Sequence, residues 1–205
     1  MTAQSVPVPP APDGHHPIVT HQTGMPTPLV GMLLFIASEV MFFGGLFATY
    51  FNARASVGAE AWGPPGHGHL DLPLAAVLTA ILIASSFTMQ FGVWAIRRGD
   101  TGKLRLWTMI TLGLGILFLA GQLYDYSQLG FGIRDGPFGT VFYTLTGFHG
   151  AHVFGGVVGL TILLARATRG QFSANNHVAV EAVSVYWHFV DVVWIAVFST
   201  IYLLG

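Results

Sequence analysis

YWHFVDVVW, residues 186–194, lies inside an apolar run from 182 to 204 in which Asp191 is the only charged residue and His188 the only imidazole. A helix needs about 20 largely apolar residues to cross a bilayer, and this run is long enough. Four more segments read the same way. Residues 29–51 hold one charge, Glu39, and residues 72–96 and 106–123 hold none. Residues 138–165 hold His149 and His152 but no charged side chain. Each run is continuously apolar, whereas barrel strands alternate polar and apolar over about 10 residues. The sequence therefore predicts an all-α, polytopic membrane bundle of five transmembrane helices, with no convincing internal repeat and no separate soluble domain.

Composition agrees. Of 205 residues, 53% are hydrophobic and 8% are charged, against about 25% charged in an average soluble domain. The net charge of −1 gives no reason to expect nucleic acid as a partner. With no cysteine, disulfides, thiolate metal sites and a thiol nucleophile are excluded. Residues 1–27 are rich in proline, carry no Lys or Arg and have no apolar core. They read as a disordered tail rather than a signal peptide, which needs a basic start and an apolar stretch. Residues 28–205 form the predicted five-helix domain.

The connections suggest an orientation. Arg97, Arg98, Lys103 and Arg105 follow the second helix, and Arg166 and Arg169 follow the fourth. Only Arg54 and Arg134 follow the first and third. By the positive-inside rule the N-terminus is cytoplasmic and the C-terminus outside.

Charged side chains are expensive at the bilayer centre, so they are expected to face protein or water and to have partners. At 100° per residue, Glu181, Ser184, His188 and Asp191 fall within about 80° of one another on the fifth helix. Trp187 and Trp194 lie beside this stripe. Tyr186, Val190, Val193 and Val197 form the other side, expected to meet lipid. On the fourth helix His149, His152, Gly156 and Gly159 share a face, and Gly155 and Gly159 make a G-x-x-x-G spacing suited to close helix packing. Glu39 has no basic residue in its own segment. From the residues alone it reads equally as a transport carboxylate or as a structural, lipid-contacting acid.

Two readings compete for the histidines. His149, His152, His188 and Asp191 have the residue types of a Zn, Fe or Cu site, in pairs at i,i+3. The alternative is interhelical hydrogen bonding, with His149 or His152 meeting Asp191 or Ser184. The second is favoured, because buried polar residues in bundles are routinely paired. The loop histidines His67 and His69 and the tail histidines His15, His16 and His21 read as incidental. Haem ligation is disfavoured, since intramembrane histidines occur only on the last two helices. No Gly-x-Ser-x-Gly motif supports nucleophilic catalysis.

The motifs carry a resemblance. SEVMFF (38–43), QLYDYS (122–127), DGPFGTVFYTLTGFHGAHVFGG (135–156) and YWHFVDVVWI (186–195) stand in this order. Together they resemble subunit III of the haem-copper terminal oxidases, most closely cytochrome c oxidase subunit III. Asp125 stands where that family's Q-x-x-E-Y segment has glutamate. The resemblance covers about residues 27–205. It implies an accessory, non-redox subunit without metal or haem of its own, with haem a and copper held by partner subunits. Its members pack against subunit I in a complex that includes subunit II, bind phospholipid in a cleft, support proton uptake and limit turnover inactivation. A route for oxygen through the subunit is also proposed for the family.

By motif, Glu39 corresponds to the family's buried acid near the lipid cleft, and His149, His152, His188 and Asp191 to positions kept without metal. Many members have seven helices and this chain has five, which leaves the wall of the lipid cleft in question. The expectation is therefore subunit III of a proton-pumping aa3-type oxidase, multi-pass in a bacterial cell membrane. The alternatives are subunit III of a quinol oxidase, or a stand-alone proton or metal transporter using Glu39.

Overall fold

The computed structural model describes residues 25–58, 60–66 and 70–204. Most of the expected tail (residues 1–24), together with His15, His16, His21, His67 and His69, lies outside the described residues. Five helices long and apolar enough to cross a membrane account for most of the rest: α1 Thr27–Val57, α2 Leu72–Arg97, α3 Thr101–Gln128, α4 Gly136–Thr168 and α5 Val178–Phe198. The last continues into a π-helical turn, Ser199–Leu203. Among the described residues the only β pairing is an isolated bridge between Ser173 and Asn176.

The helices run past their apolar cores because hydropathy marks the hydrocarbon layer, not the backbone's stopping points. Those points are set by caps and breakers. Asp71 accepts from the Leu74 N–H at 2.9 Å and opens α2, with Pro73 in the first turn. Asp100 does the same for α3 through the Lys103 N–H, also at 2.9 Å, satisfying one of the four donors a helix start leaves free. Between α2 and α3, Gly99 takes φ +80°, a left-handed conformation glycine adopts without strain. The hairpin can therefore reverse in a few residues.

Helices α2 and α3 pair along this hairpin, and α4 packs on α3. Helix α5 touches α1, α2 and α4 and so lies at the centre. Helix α1 is peripheral: along it only Phe43 and Tyr50 are buried. The far end from the basic loops is tied by Tyr50. Its hydroxyl donates to the Thr200 carbonyl at 3.2 Å and accepts from the Trp62 indole at 3.1 Å.

The central place of α5 corrects one expectation. Val190, Val193 and Val197 do not face lipid: they are 1%, 7% and 0% exposed. The outward positions are Val192 and Ile195. Lipid and a protein interior are both apolar, so a valine stripe alone does not tell one from the other.

Candidate functional site

The sequence-predicted polar residues Glu39, His152, His188 and Asp191 fall in two separate clusters, one joining α1 to α4 and one joining α5 to α2. The first joins α1 to α4. Met32, Ile36, Glu39, Phe43, Leu46 and Tyr50 fall on the more buried stripe of α1, at the three- and four-residue spacings of a helix face. This stripe points Glu39 at α4. There Glu39 Oε2 lies 2.9 Å from His152 Nε2, and each side chain is 17% exposed. The other ring nitrogen, Nδ1, lies 2.7 Å from the Phe148 carbonyl. A carbonyl only accepts, so Nδ1 is the donor to it, which leaves Nε2 facing the Glu39 carboxyl group.

Aromatic rings surround this bond. Phe43 stands edge-on to His152 at 5.0 Å, and Phe42 meets Phe148 edge-on at 5.1 Å. The Tyr186 hydroxyl donates to the His152 carbonyl at 2.9 Å, tying α5 to the same spot. Glu39 thus meets an imidazole on another helix, where its own segment alone showed no basic neighbour.

The second cluster joins α5 to α2. The Ser86 hydroxyl donates to Asp191 Oδ2 and lies 2.9 Å from His188 Nδ1. His188 Nε2 is 3.3 Å from Gln90 Oε1. Along the same pair of helices, the Trp187 indole donates to Ser85 Oγ, and the Trp194 indole to Thr79 Oγ1, both at 2.9 Å. The sequence reading paired α5 with α4; the structure pairs its polar side with α2. Neither His149 nor His152 meets Asp191 or Ser184. Ser184 is buried, and its hydroxyl makes no interhelical hydrogen bond among the described residues. His149 is fully buried against the Trp194 ring at 4.8 Å and the Phe118 edge at 5.8 Å. Neither of its nitrogens has a hydrogen-bond partner among the described residues.

Sequence reasoning missed Thr79, Ser85, Ser86 and Gln90, because α2 has no charge in its apolar span. A signal was present: Thr79, Ser86 and Gln90 are spaced by seven and four, so they share one face of a helix. It also missed the Asp125 contact, where the Tyr202 hydroxyl donates to Oδ2 at 3.3 Å, and Gln122, whose amide donates to the Thr146 carbonyl at 3.0 Å. Among the described residues no three His, Asp or Glu side chains converge as a metal site.

The G-x-x-x-G spacing also takes a different role. Gly155 and Gly159 contact α5 only loosely, while Gly156 takes the tightest approach: a methyl group there would stand 2.6 Å from ring carbons of Trp187.

Five apolar helices tied by interhelical hydrogen bonds define a multi-pass helical membrane protein. Comparison with known proteins gives the family. The model of the family described as cytochrome c oxidase subunit III matches residues 11–205. The chain is 49% identical over 176 residues to the probable cytochrome c oxidase subunit 3 of Nocardia farcinica, covering 84% of this chain and 86% of the relative. It is 46% identical over 179 residues to cytochrome c oxidase subunit 3 of Corynebacterium diphtheriae, covering 85% and 87%. To that of Thermostichus vulcanus it is 42% identical over 177 residues, covering 86% and 87%. The chain belongs to the cytochrome c oxidase subunit III family.

Proposed function

We propose that this chain is the accessory, non-redox subunit III of a proton-pumping aa3-type cytochrome c oxidase. It sits in a bacterial cell membrane with its N-terminus cytoplasmic and its C-terminus outside. Oxygen reduction belongs to partner subunits that hold haem a and copper. This chain docks on subunit I, in the same complex as subunit II, stabilises it, contacts phospholipid and supports proton uptake. The observation that carries this reading is the 42–49% identity, over most of the chain, to relatives named cytochrome c oxidase subunit 3. That name also favours cytochrome c over quinol as the electron donor.

The geometry supports an accessory role for the polar residues. Glu39 is bonded within the chain to His152, so it acts first as a tie between the peripheral α1 and α4. Asp191 and His188 hold α5 to α2, and His149 and Ser184 fill the core beside them.

The test is purification in mild detergent followed by an optical spectrum. A haem a spectrum in the copurified complex, with the separated chain colourless, is the expected result. A stoichiometric haem spectrum from the chain alone would overturn the reading. Uptake of protons or metal by vesicles holding this chain alone, dependent on Glu39, would replace it with a transporter.

A further inference from the structure

Helices α2 and α3 meet at the basic end of the bundle in a cleft of 290 Å³ lined by Phe91, Ala95, Arg98, Lys103 and Trp107. Its lower part is aromatic. Phe91 packs against Trp107 at 5.1 Å and against Trp94 at 5.7 Å between ring centroids. Phe91 and Trp94 remain 39% and 46% exposed on the outside of the bundle. Its upper part is cationic, with Arg98 capping the end of α2 and Lys103 in the first turn of α3.

The cations of this end are not equivalent. Arg97 binds Glu181 at 2.7 Å, Arg105 donates to the Ala167 carbonyl at 2.9 Å, and Arg166 donates to Gln171 at 2.9 Å. The Arg98 guanidinium makes no hydrogen bond or ion pair among the described residues, only its backbone N–H being spent on the end of α2, so its five side-chain donors are free. Lys103 holds Asp100 at 2.9 Å in an exposed pair and has further N–H groups to give. The cleft therefore offers a fork of donors beside an aromatic wall that is open on the outside of the bundle.

We infer that this cleft binds one anionic phospholipid, its phosphate held by Arg98 and Lys103 and its acyl chain lying along Phe91 and Trp107. The two halves of the site specify the ligand. A phosphate with no attached cation satisfies Arg98 and Lys103, whereas a choline headgroup brings a positive charge against them. An acyl chain covers exposed aromatic surface that a free phosphate leaves bare. Tryptophans sit at the headgroup level of membranes, and basic residues beside the cytoplasmic leaflet attract its anionic lipids. The site lies on the α2–α3 hairpin, across the bundle from the Glu39–His152 pair. It depends on the helices being transmembrane, not on which subunits accompany them.

The experiment uses the full chain with its copurifying subunits in mild detergent, followed by native mass spectrometry during titration with phosphatidylglycerol. The Arg98→Gln/Lys103→Gln double variant is expected to lose one tightly held phosphatidylglycerol, with affinity lower by on the order of tenfold or more. Arg98→Lys should retain it, and Trp107→Ala should weaken it. Because Arg98 and Lys103 are exposed and the Lys103–Asp100 pair is a surface one, the thermal transition without added lipid should shift only slightly in the double variant. Equal phosphatidylglycerol counts in the two forms would overturn the inference. So would equal retention of phosphatidylcholine, or displacement by inorganic phosphate alone. A crosslink from Lys103 to an acidic side chain of another subunit, with no lipid lost in the variant, would assign the cleft to a protein partner instead.

Discussion

The six-membered ring of Trp187 fills the space where a side chain on Gly156 would begin: a methyl group there would stand 2.6 Å from Cε3 and Cζ3. On the other side, a methyl on Gly115 of α3 would stand 2.7 Å from Cη2. The indole of the central helix is thus seated in a notch made by two glycines on two helices, with its N–H spent on Ser85. Overfilling a packed core costs about 1–3 kcal/mol. Gly156→Ala and Gly115→Ala should each lower thermal stability in detergent by that order. Gly147→Ala, where nothing lies within 4 Å, should be neutral or slightly stabilising, since alanine is the better helix former. Equal effects at Gly156 and Gly147 would refute the notch.

At the basic end, Asp100 caps α3 outside the apolar span. The Lys103 N–H and then its ammonium hold the Asp100 carboxyl below the usual carboxylate range. A carboxyl lowered on folding contributes stability that is present above its unfolded pKa and lost as pH falls through the folded value. Wild type should therefore show no Asp100-dependent change from pH 8 to 5. The difference between wild type and Asp100→Ala should shrink only below about pH 4. Asp100→Asn, which keeps the cap, should match wild type at neutral pH more closely than Ala does. Thermal unfolding across pH measures this, and a difference that disappears between pH 7 and 5 would contradict it.

Much of this fold can be read before any coordinates. The five spans follow from where charge is missing, since only a helix of adequate length satisfies its backbone in lipid. The grouping of Ser184, His188 and Asp191 follows from helical spacing. What cannot be read is which helix faces them, because spacing within one helix says nothing about its neighbours. His188 and Asp191 drew the eye to the other histidines, yet their partners are Ser86 and Gln90, uncharged residues that blend into an apolar span. The same blindness hid the bond between Glu39 and His152. It also placed Val190 and Val197 toward lipid, when they are at the centre of the bundle. The expected start of α3 at residue 106 falls five residues late, because Asp100 and Gly99 set that start, whereas the expected span 72–96 matches α2 to within one residue.

The Glu39–His152 pair is testable by a double-mutant cycle. Glu39→Leu leaves Nε2 of His152 without a partner in lipid, and His152→Leu strands the acid. The double variant removes both. Hydrogen bonds between membrane helices couple by about 0.6 kcal/mol on average and up to about 1.7. The double variant should therefore be more stable than the sum of the singles by that order. Glu39→Gln should stay near wild type, because its amide can donate to Nε2, and haem content of the copurified complex should be unchanged. Any deficit should fall on sustained turnover. Strict additivity in thermal unfolding would mean the bond contributes nothing.

For α5, the same cycle decides between two neighbours. Asp191→Leu removes the acceptor of the Ser86 hydroxyl and leaves Ser86 with His188 alone. It should loosen α2 from α5, at a cost on the order of 1 kcal/mol. Coupled with Ser86→Ala, the pair should show a clear interaction energy, since each residue contributes half of one bond. Coupled with His149→Leu, Asp191→Leu should be additive, because His149 sits against Trp194 and Phe118 and makes no bond to Asp191. Asp191→Asn should keep most of the stability, as its carbonyl still accepts from Ser86. Coupling to His149 with none to Ser86 would return the polar face of α5 to α4 and overturn the arrangement described above.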